Sequence, residues 1–336
     1  MPRIRSHADL PMCRFIVALL AAFLLPAATA HAAGTPYNTS ITNQATASYK
    51  DSSANSFEAT SNATTVTVTA VYTVSVTAPS DASGNTNTVV YYPYTVTNTG
   101  NNTNTFALSA ASGAGGNTWA AALCYDANGD GVHDAGETTV TDSTGALAAD
   151  ATYKFFVAVT IPAAVASGQT DVTTLTVTGS GDAGAGDDTT DSVTTTALAP
   201  ALTITKAVRN VTLGGTFDAT ASAAPAQVLE YRITVANGGS ISADNVTLTD
   251  ADNAYTTYVA GSMYIGANGS TATSNTLQDD DASGGTACAS DACGHSSVSG
   301  GTVTAYLGTG ATESASDART FAAGSTVYVY FQVTVD

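Results

Sequence analysis

The sequence contains an internal repeat whose longest stretch keeps a constant offset, and this repeat constrains the fold more than any other feature. Ile41–Val76 aligns with Asp171–Lys206 without a gap. A second stretch, Tyr92–Gly100, aligns with Tyr231–Gly239, and both stretches end in an Asn-x-Gly turn. Similarity at a fixed offset is typical of tandem copies of one structural unit. The chain is therefore predicted to contain two related domains.

The two copies differ in completeness. Val157–Ile161 aligns with Phe331–Val335, which is followed only by Asp336. The second copy thus has no counterpart of residues 162–200, whereas an additional copy of that piece lies near the N-terminus. This distribution predicts head-to-tail assembly, in which a subunit supplies strands that its neighbour lacks.

Short runs that alternate between apolar residues and threonine or serine indicate the fold class. Alternation is clear in Thr65–Val68, Thr73–Val76 and Val327–Val335. A period of two is typical of strands with one buried face, and turn residues separate the runs at short intervals. The prediction is an all-β chain with two tandem immunoglobulin-like antiparallel β-sandwiches, preceded by an N-terminal strand pair. The expected segments are 1–32 (signal peptide), 33–70 (strand pair), 71–199 (first sandwich) and 200–336 (second sandwich).

The first residues are typical of an export signal. An apolar run, Phe15–Leu25, follows Arg14 and precedes the small-residue cleavage pattern Ala30-His31-Ala32. No later apolar stretch has the length of a membrane helix. We therefore expect a secreted protein that is extracellular or held on the cell surface by other proteins.

Composition narrows the possible partners. The net charge is −18, and charged residues make up only 11% of the chain. A negative field of this size repels nucleic acid and anionic membranes. We therefore expect no nucleic acid partner and no membrane span.

An acidic segment, Asp126–Glu137, follows the twelve-residue calcium-loop pattern at every ligand position. Calcium takes six to eight oxygen ligands, and this spacing supplies them from one short loop. The alternative is a solvated acidic turn. The sequences that flank the loop, including Thr138–Thr141, indicate strands instead of helices, so calcium is expected as a static stabilising clip. The predicted ligands are Asp126, Asn128, Asp130, the backbone carbonyl of Val132, Asp134 and Glu137. Whether a second site exists near Asp279–Asp281 stays open.

Three cysteines follow the signal. Cys288 and Cys293 lie close together in a loop rich in glycine and serine, which predicts a disulfide in an exported protein. Two free thiols are the alternative. Cys124 lies in an apolar strand and is predicted to be a buried thiol.

The second repeat also carries a family resemblance. Leu202–Lys206, Tyr231–Gly239, Val246–Asp250 and Tyr258–Ser262 resemble the secreted prokaryotic "conserved repeat domain" family, whose members are surface-protein modules. The resemblance covers most of 200–336 and, more weakly, 71–199. It implies a surface or structural role and supplies no catalytic residues.

These observations favour a structural subunit of an extracellular filament or surface layer over an enzyme. The N-terminal strands of one subunit are predicted to pair with an open edge at Val327–Val335 of a neighbour. The alternative is a monomeric secreted adhesin that binds through sandwich loops, with 278–301 as the candidate surface. The predicted assembly residues are Ile41, Ala45, Ala47, Tyr49, Val66, Val68, Val329, Phe331, Val333 and Val335.

Overall fold

A computed structural model describes residues 34–137, 142–181, 186–251, 253–278, 287–312, 314 and 318–336. The described chain is all-β, as predicted, and has one short 3-10 turn at Ala272–Ser274. The signal segment, Thr138–Thr141 and Asp279–Asp281 lie outside these residues. In chain order the strands are β1 (Ser40–Asn43), β2 (Thr46–Lys50), β3 (Ser56–Thr60), β4 (Thr64–Thr67), β5 (Val74–Thr77), β6 (Ala82–Asn85), β7 (Val89–Asn98), β8 (Asn104–Ser112), β9 (Ala120–Tyr125), β10 (Ser143–Leu147), β11 (Thr152–Thr160), β12 (Thr170–Gly179), β13 (Asp188–Leu198), β14 (Leu202–Asn210), β15 (Val228–Asn237), β16 (Ala243–Asp244), β17 (Thr247–Ala251), β18 (Thr256–Tyr258), β19 (Tyr264–Gly266), β20 (Thr276–Leu277), β21 (Gly294–Ser299), β22 (Thr302–Leu307), β23 (Thr320–Phe321) and β24 (Thr326–Val335).

The first sandwich, β5–β13, packs a sheet of order β10-β8-β12-β13-β6 on a sheet of order β5-β7-β11-β9. Its strand pairs are antiparallel, except that β13 and β6 are parallel. On β12 the apolar residues Leu175 and Val177 are buried, whereas the threonines between and beside them reach solvent. The core also contains large aromatic side chains such as Tyr94, Phe106 and Phe155.

The second sandwich, β14–β24, repeats this plan around a sheet of order β14-β15-β24-β19-β20. Its facing sheet has the order β17-β22-β21, beside the short pair β16-β23, and shares one core with the larger sheet. Strand β24 is not an edge strand. It pairs with β15 on one side, and with β18 and β19 on the other. The prediction of an open edge at Val327–Val335 is therefore wrong, because two short local strands already bond to that side.

The residues of β24 that were predicted to receive a donated strand thus have partners within the chain. Val329 lies opposite Ile233 and Ile265, and Phe331 lies opposite Tyr231. Val333 lies opposite Leu229 and Tyr258, while Val335 lies opposite Thr256. Val329, Phe331 and Val333 are buried in the core.

Strands β1–β4 form one long two-stranded hairpin, here called the ribbon. Strand β1 pairs with β4, and β2 pairs with β3. Its tip is closed by Asp51, whose Oδ1 accepts hydrogen bonds from the backbone N–H groups of Ser53 and Asn55. In the described part of the chain, no ribbon strand pairs with a sandwich strand. All strand residues of the ribbon are exposed.

Candidate functional site

The ribbon has one apolar face, and nothing in the described chain covers it. Residues that lie opposite each other in an antiparallel pair project to the same face. Ile41 lies opposite Val66, and Tyr49 lies opposite Phe57 with the two rings stacked at 5.4 Å. Val66 is 64% exposed. A two-stranded hairpin is at best marginally stable alone in water, so this face is suited to contact with another surface.

The predicted ribbon residues do not all belong to this face. Ala47 lies opposite Ala59 and shares the face with Tyr49 by strand alternation. Ala45 lies between β1 and β2, where its backbone N–H donates to the hydroxyl of Ser61. Val68 belongs to the base of the ribbon and exchanges backbone hydrogen bonds with Asn38 and Thr39.

The ribbon resembles the β12–β13 hairpin in pairing as well as in sequence. Thr46 pairs with Thr60, and the residues aligned with them, Thr176 and Thr190, also pair. Nearer the base the register shifts by one residue, since Ile41 pairs with Val66. In the first sandwich the equivalent face of β12–β13 is buried in the core. The ribbon therefore resembles a hairpin whose apolar face is normally buried in a sandwich core, but its own apolar face is exposed.

The ribbon joins the first sandwich as the β12–β13 hairpin joins the second. Asn101 N donates to Val71 O at 3.1 Å, and Ser240 N donates to Ala199 O at 3.0 Å. Two residues before these donors, Thr99 N donates to Thr73 O, and Gly238 N donates to Ala201 O. The same type of junction thus follows each hairpin.

A buried asparagine, Asn101, anchors the base of the ribbon. Its Nδ2 donates to the carbonyls of Thr35 and Thr69, at 3.1 Å each, and its Oδ1 accepts from Val71 N at 2.8 Å. Both arms of the ribbon are thereby fixed to the loop after β7. Asn101 was not among the predicted site residues. The available signal was its position directly after the Asn-x-Gly turn.

The acidic loop is folded around the carboxylate of Asp126, which is buried. Its Oδ1 accepts from Gly129 N at 2.6 Å, and its Oδ2 accepts from Gly131 N at 3.0 Å. Glu137 bridges the two ends of the loop, because its carboxylate oxygens accept from Ala127 N and Asp134 N at 2.9 Å each. The first and twelfth positions of the pattern are thus brought together.

The middle of the loop is occupied by hydrogen-bond donors. Asn128 Nδ2 donates to Asp130 Oδ2 at 3.1 Å and to Asp134 Oδ2 at 3.0 Å. Lys154 Nζ donates to the carbonyl oxygen of Gly129. Among the described residues, no group of three or more histidine, cysteine or acidic side chains is arranged to hold a metal ion. The carboxylate, amide and carbonyl oxygens of the loop are the type of ligand that calcium takes. For calcium to bind, however, the Asn128 amide must turn its oxygen toward the ion.

The loop also packs on the sandwich through His133, which stands at the eighth position, where the calcium-loop pattern usually has an apolar residue. Its ring stacks on Tyr91 at 3.7 Å and meets the edge of Phe156 at 5.6 Å. This contact fixes the loop against β7 and β11. Val132, whose carbonyl is a predicted ligand, is exposed.

The predicted disulfide between Cys288 and Cys293 is confirmed. Cys288 exchanges backbone hydrogen bonds with Gly310 and Ala311, and Cys293 O accepts from Gly308 N, so the bridge is tied to the turn after β22. Cys124 is a buried free thiol, as predicted, and packs in a small cluster with Phe156. Burial raises the pKa of the Cys124 thiol, which disfavours the reactive thiolate.

No protein-family model matches the chain, and no curated protein matches it. The resemblance to the conserved repeat domain family therefore stays a prediction. No helix in the described residues could span a membrane.

Among solved structures, a family 123 glycoside hydrolase from Clostridium perfringens matches with 8% identity and a TM-score of 0.26. That match covers 38% of this chain and 27% of the hydrolase, so the chain spans about a quarter of that protein. The C-terminal domain of the Streptococcus agalactiae AgI/II polypeptide BspA matches with 8% identity and a TM-score of 0.30, over 79% of this chain and 91% of that domain. Similarity at this level does not assign a function.

Proposed function

We propose that this protein is a secreted structural subunit of an extracellular filament or surface layer. The ribbon of one subunit packs on the C-terminal sandwich of the next. The observation that carries the proposal is the uncovered apolar face of Ile41, Tyr49, Phe57 and Val66 on a hairpin that is anchored by Asn101.

A neighbouring copy is the partner favoured by the repeat. The ribbon has the sequence and pairing of a hairpin that belongs to a sandwich core, and this chain contains two sandwiches of that kind. The ribbon and its partner surface lie on different parts of the chain, so the contact is heterologous. Such contacts give open chains when the rotation between subunits does not close.

The first test is the size of the mature protein in solution, measured by sedimentation velocity and negative-stain electron microscopy. We expect wild-type protein to form elongated assemblies and Val66→Asp to sediment as a monomer. Thr65→Asp, on the opposite face of the same strand, is the matched control and should assemble. A monomeric wild-type protein would refute the proposal and favour the alternative, a monomeric adhesin that uses its sandwich loops.

Calcium is part of the proposal as a stabilising ion in the loop 126–137. A bound ion stabilises the folded state by mass action, and extracellular modules commonly bind calcium at about 10⁻⁴–10⁻³ M. The support is the ligand spacing together with the central place of Asp126 and the bridging place of Glu137. Before an ion binds, the amide of Asn128 offsets part of the repulsion between Asp130 and Asp134.

The calcium proposal is tested by isothermal titration and thermal unfolding with calcium or a chelator. We expect wild-type protein to bind one ion in this loop and to unfold at a higher temperature with calcium. Glu137→Gln should lose at least tenfold in affinity. Asp218→Asn, an exposed acid in the second sandwich, should change nothing. Equal behaviour of the wild type and Glu137→Gln would contradict the proposal.

A further inference from the structure

The first half of strand β14, in the second sandwich, has a core-facing side that no described residue covers. Ile204 lies opposite Val235 on β15, and Val235 is buried in the core. Since opposite residues project to the same face, Ile204 points toward the inside of the sandwich. It is nevertheless 59% exposed, and Leu202 on the same face is 42% exposed. Lys206, also on this face, reaches Asp250 on β17 of the facing sheet.

The equivalent strand of the first sandwich is covered. Val76 on β5 lies opposite Val96, and Val74 lies opposite the buried Asn98. Both valines pack against the core, and β13 is the strand of the facing sheet that contacts β5. In the second sandwich Leu202 lies opposite Asn237, as Val74 lies opposite Asn98. By strand pairing Leu202 is therefore the counterpart of Val74, two residues before the position that the sequence alignment gives. What β14 lacks is therefore the counterpart of β13.

The facing sheet of the second sandwich also has an open edge. In the first sandwich β8 pairs with β10 and with β12, whereas β17 pairs only with β22 among the described residues. The β22–β21 hairpin extends toward β19, where Gly294 lies close to the side chain of Ile265. Strand β19 is separated from β14 by β15 and β24. The free edge of β17 is therefore on the side of β14.

We infer that this opening between β14 and β17 is the acceptor for the ribbon of a second copy of the chain. The β1–β2 arm lies beside β17, as β12 lies beside β8, and the β3–β4 arm covers β14, as β13 covers β5. The apolar face of the ribbon then meets Leu202 and Ile204. The ribbon is the sequence repeat of the hairpin that fills the same place in the first sandwich.

This inference rests on the proposed function, and it places the acceptor away from β24. Each chain has one ribbon and one opening, and the junctions at Val71 and Ala199 have the same hydrogen bonds. Docking would thus place the second sandwich of one copy directly before the first sandwich of the next copy. The two sandwiches within a chain follow each other in the same way. The resulting chain of subunits has free ends only at its first ribbon and last opening.

The acceptor is tested with Ile204→Asp in the mature protein, and Thr205→Asp on the outer face of β14 is the control with the same added charge. We expect Ile204→Asp to sediment as a monomer and Thr205→Asp to assemble as the wild type does. Because Ile204 is largely exposed, Ile204→Asp should have the same melting temperature as the other monomeric variant, Val66→Asp. The second measurement mixes Ile204→Asp with Val66→Asp, each monomeric alone. One has an intact ribbon and the other an intact opening, so an equimolar mixture should give heterodimers.

The outcomes separate this inference from the proposed function. If wild-type protein does not assemble, the proposed function fails and the acceptor fails with it. If wild-type protein assembles and Ile204→Asp assembles equally well, the ribbon has another partner surface and only the acceptor is refuted. If both variants are monomeric but their mixture gives no heterodimer, the two surfaces do not contact each other and the acceptor is refuted.

Discussion

At the residue scale, two buried asparagines set the turns from which each sandwich is organised. Asn98 Nδ2 donates to Asn102 O and Leu147 O at 2.8 Å each, and its Oδ1 accepts from Gly100 N. Asn237 makes the equivalent bonds to Ile241 O, Phe321 O and Gly239 N. Sequence analysis identified both turns. It could not show that the amides tie each turn to a distant strand, because that contact depends on tertiary packing.

Replacing either asparagine should destabilise its own sandwich. Asn98→Ala leaves the buried carbonyl of Leu147 and the partly buried carbonyl of Asn102 without their donor, and an unpaired buried group costs about 1–3 kcal/mol. We therefore expect the unfolding free energy of the first sandwich to fall by about 2–4 kcal/mol in urea titrations. Thr99→Ala, at the exposed neighbouring position, should change it by less than about 0.5 kcal/mol. An equal effect of both variants would contradict this assignment.

Buried tyrosines predict how the first sandwich responds to alkaline pH. Burial raises the pKa of Tyr94, and the hydrogen bond to Asp191 raises it further. Burial also raises the pKa of Tyr92. The folded state therefore favours the protonated phenols. Their contribution to folding stability is complete below the pKa of tyrosine in the unfolded chain, about 10, and is lost as pH rises above that value. Unfolding free energy, measured from pH 8 to 11, should therefore fall above about pH 10. Tyr94→Phe should reduce that slope, and an unchanged slope would contradict the prediction.

At the element scale, the sequence predicted long strands and missed short ones. Alternation over Val327–Val335 was sufficient to predict β24. Strands β18 and β19, which close its second edge, have three residues each and no clear period. Strands this short form because neighbouring strands offer backbone partners, which a local pattern cannot indicate. For the same reason the open side of β14 and β17 was not predicted from the sequence.

The ribbon should be the least stable element of an isolated subunit. In the assembly it should be protected from hydrogen exchange. Its strands are exposed, and among the described residues its ties to a sandwich lie at the base around Asn101. Amides of β1–β4 should therefore exchange with deuterium much faster than those of β12–β13 in the monomeric variant Ile204→Asp. In wild-type assemblies the ribbon amides should exchange at least tenfold more slowly than in that variant. Ribbon exchange that is equally fast in both samples would show that the ribbon is not buried on assembly.

At the scale of the whole molecule, charge and apolar contact act in opposite directions on assembly. The chain has a net charge of −18, so copies repel one another. The contact proposed between the ribbon and the β14 opening is mainly apolar, and salt does not screen it. The Debye length falls from about 30 Å at 0.01 M salt to about 8 Å at 0.15 M, which weakens the repulsion and leaves the contact intact.

Assembly should therefore become stronger as salt is added over this range. We expect the lowest protein concentration that gives assemblies, measured by sedimentation, to fall by several-fold between 10 and 150 mM sodium chloride. Ile204→Asp, measured in the same buffers, should stay monomeric and so exclude non-specific association. A contact held by ion pairs would give the opposite trend, since screening weakens attraction between unlike charges as well. Weaker assembly at higher salt would thus argue against an apolar ribbon contact as the force that joins the subunits.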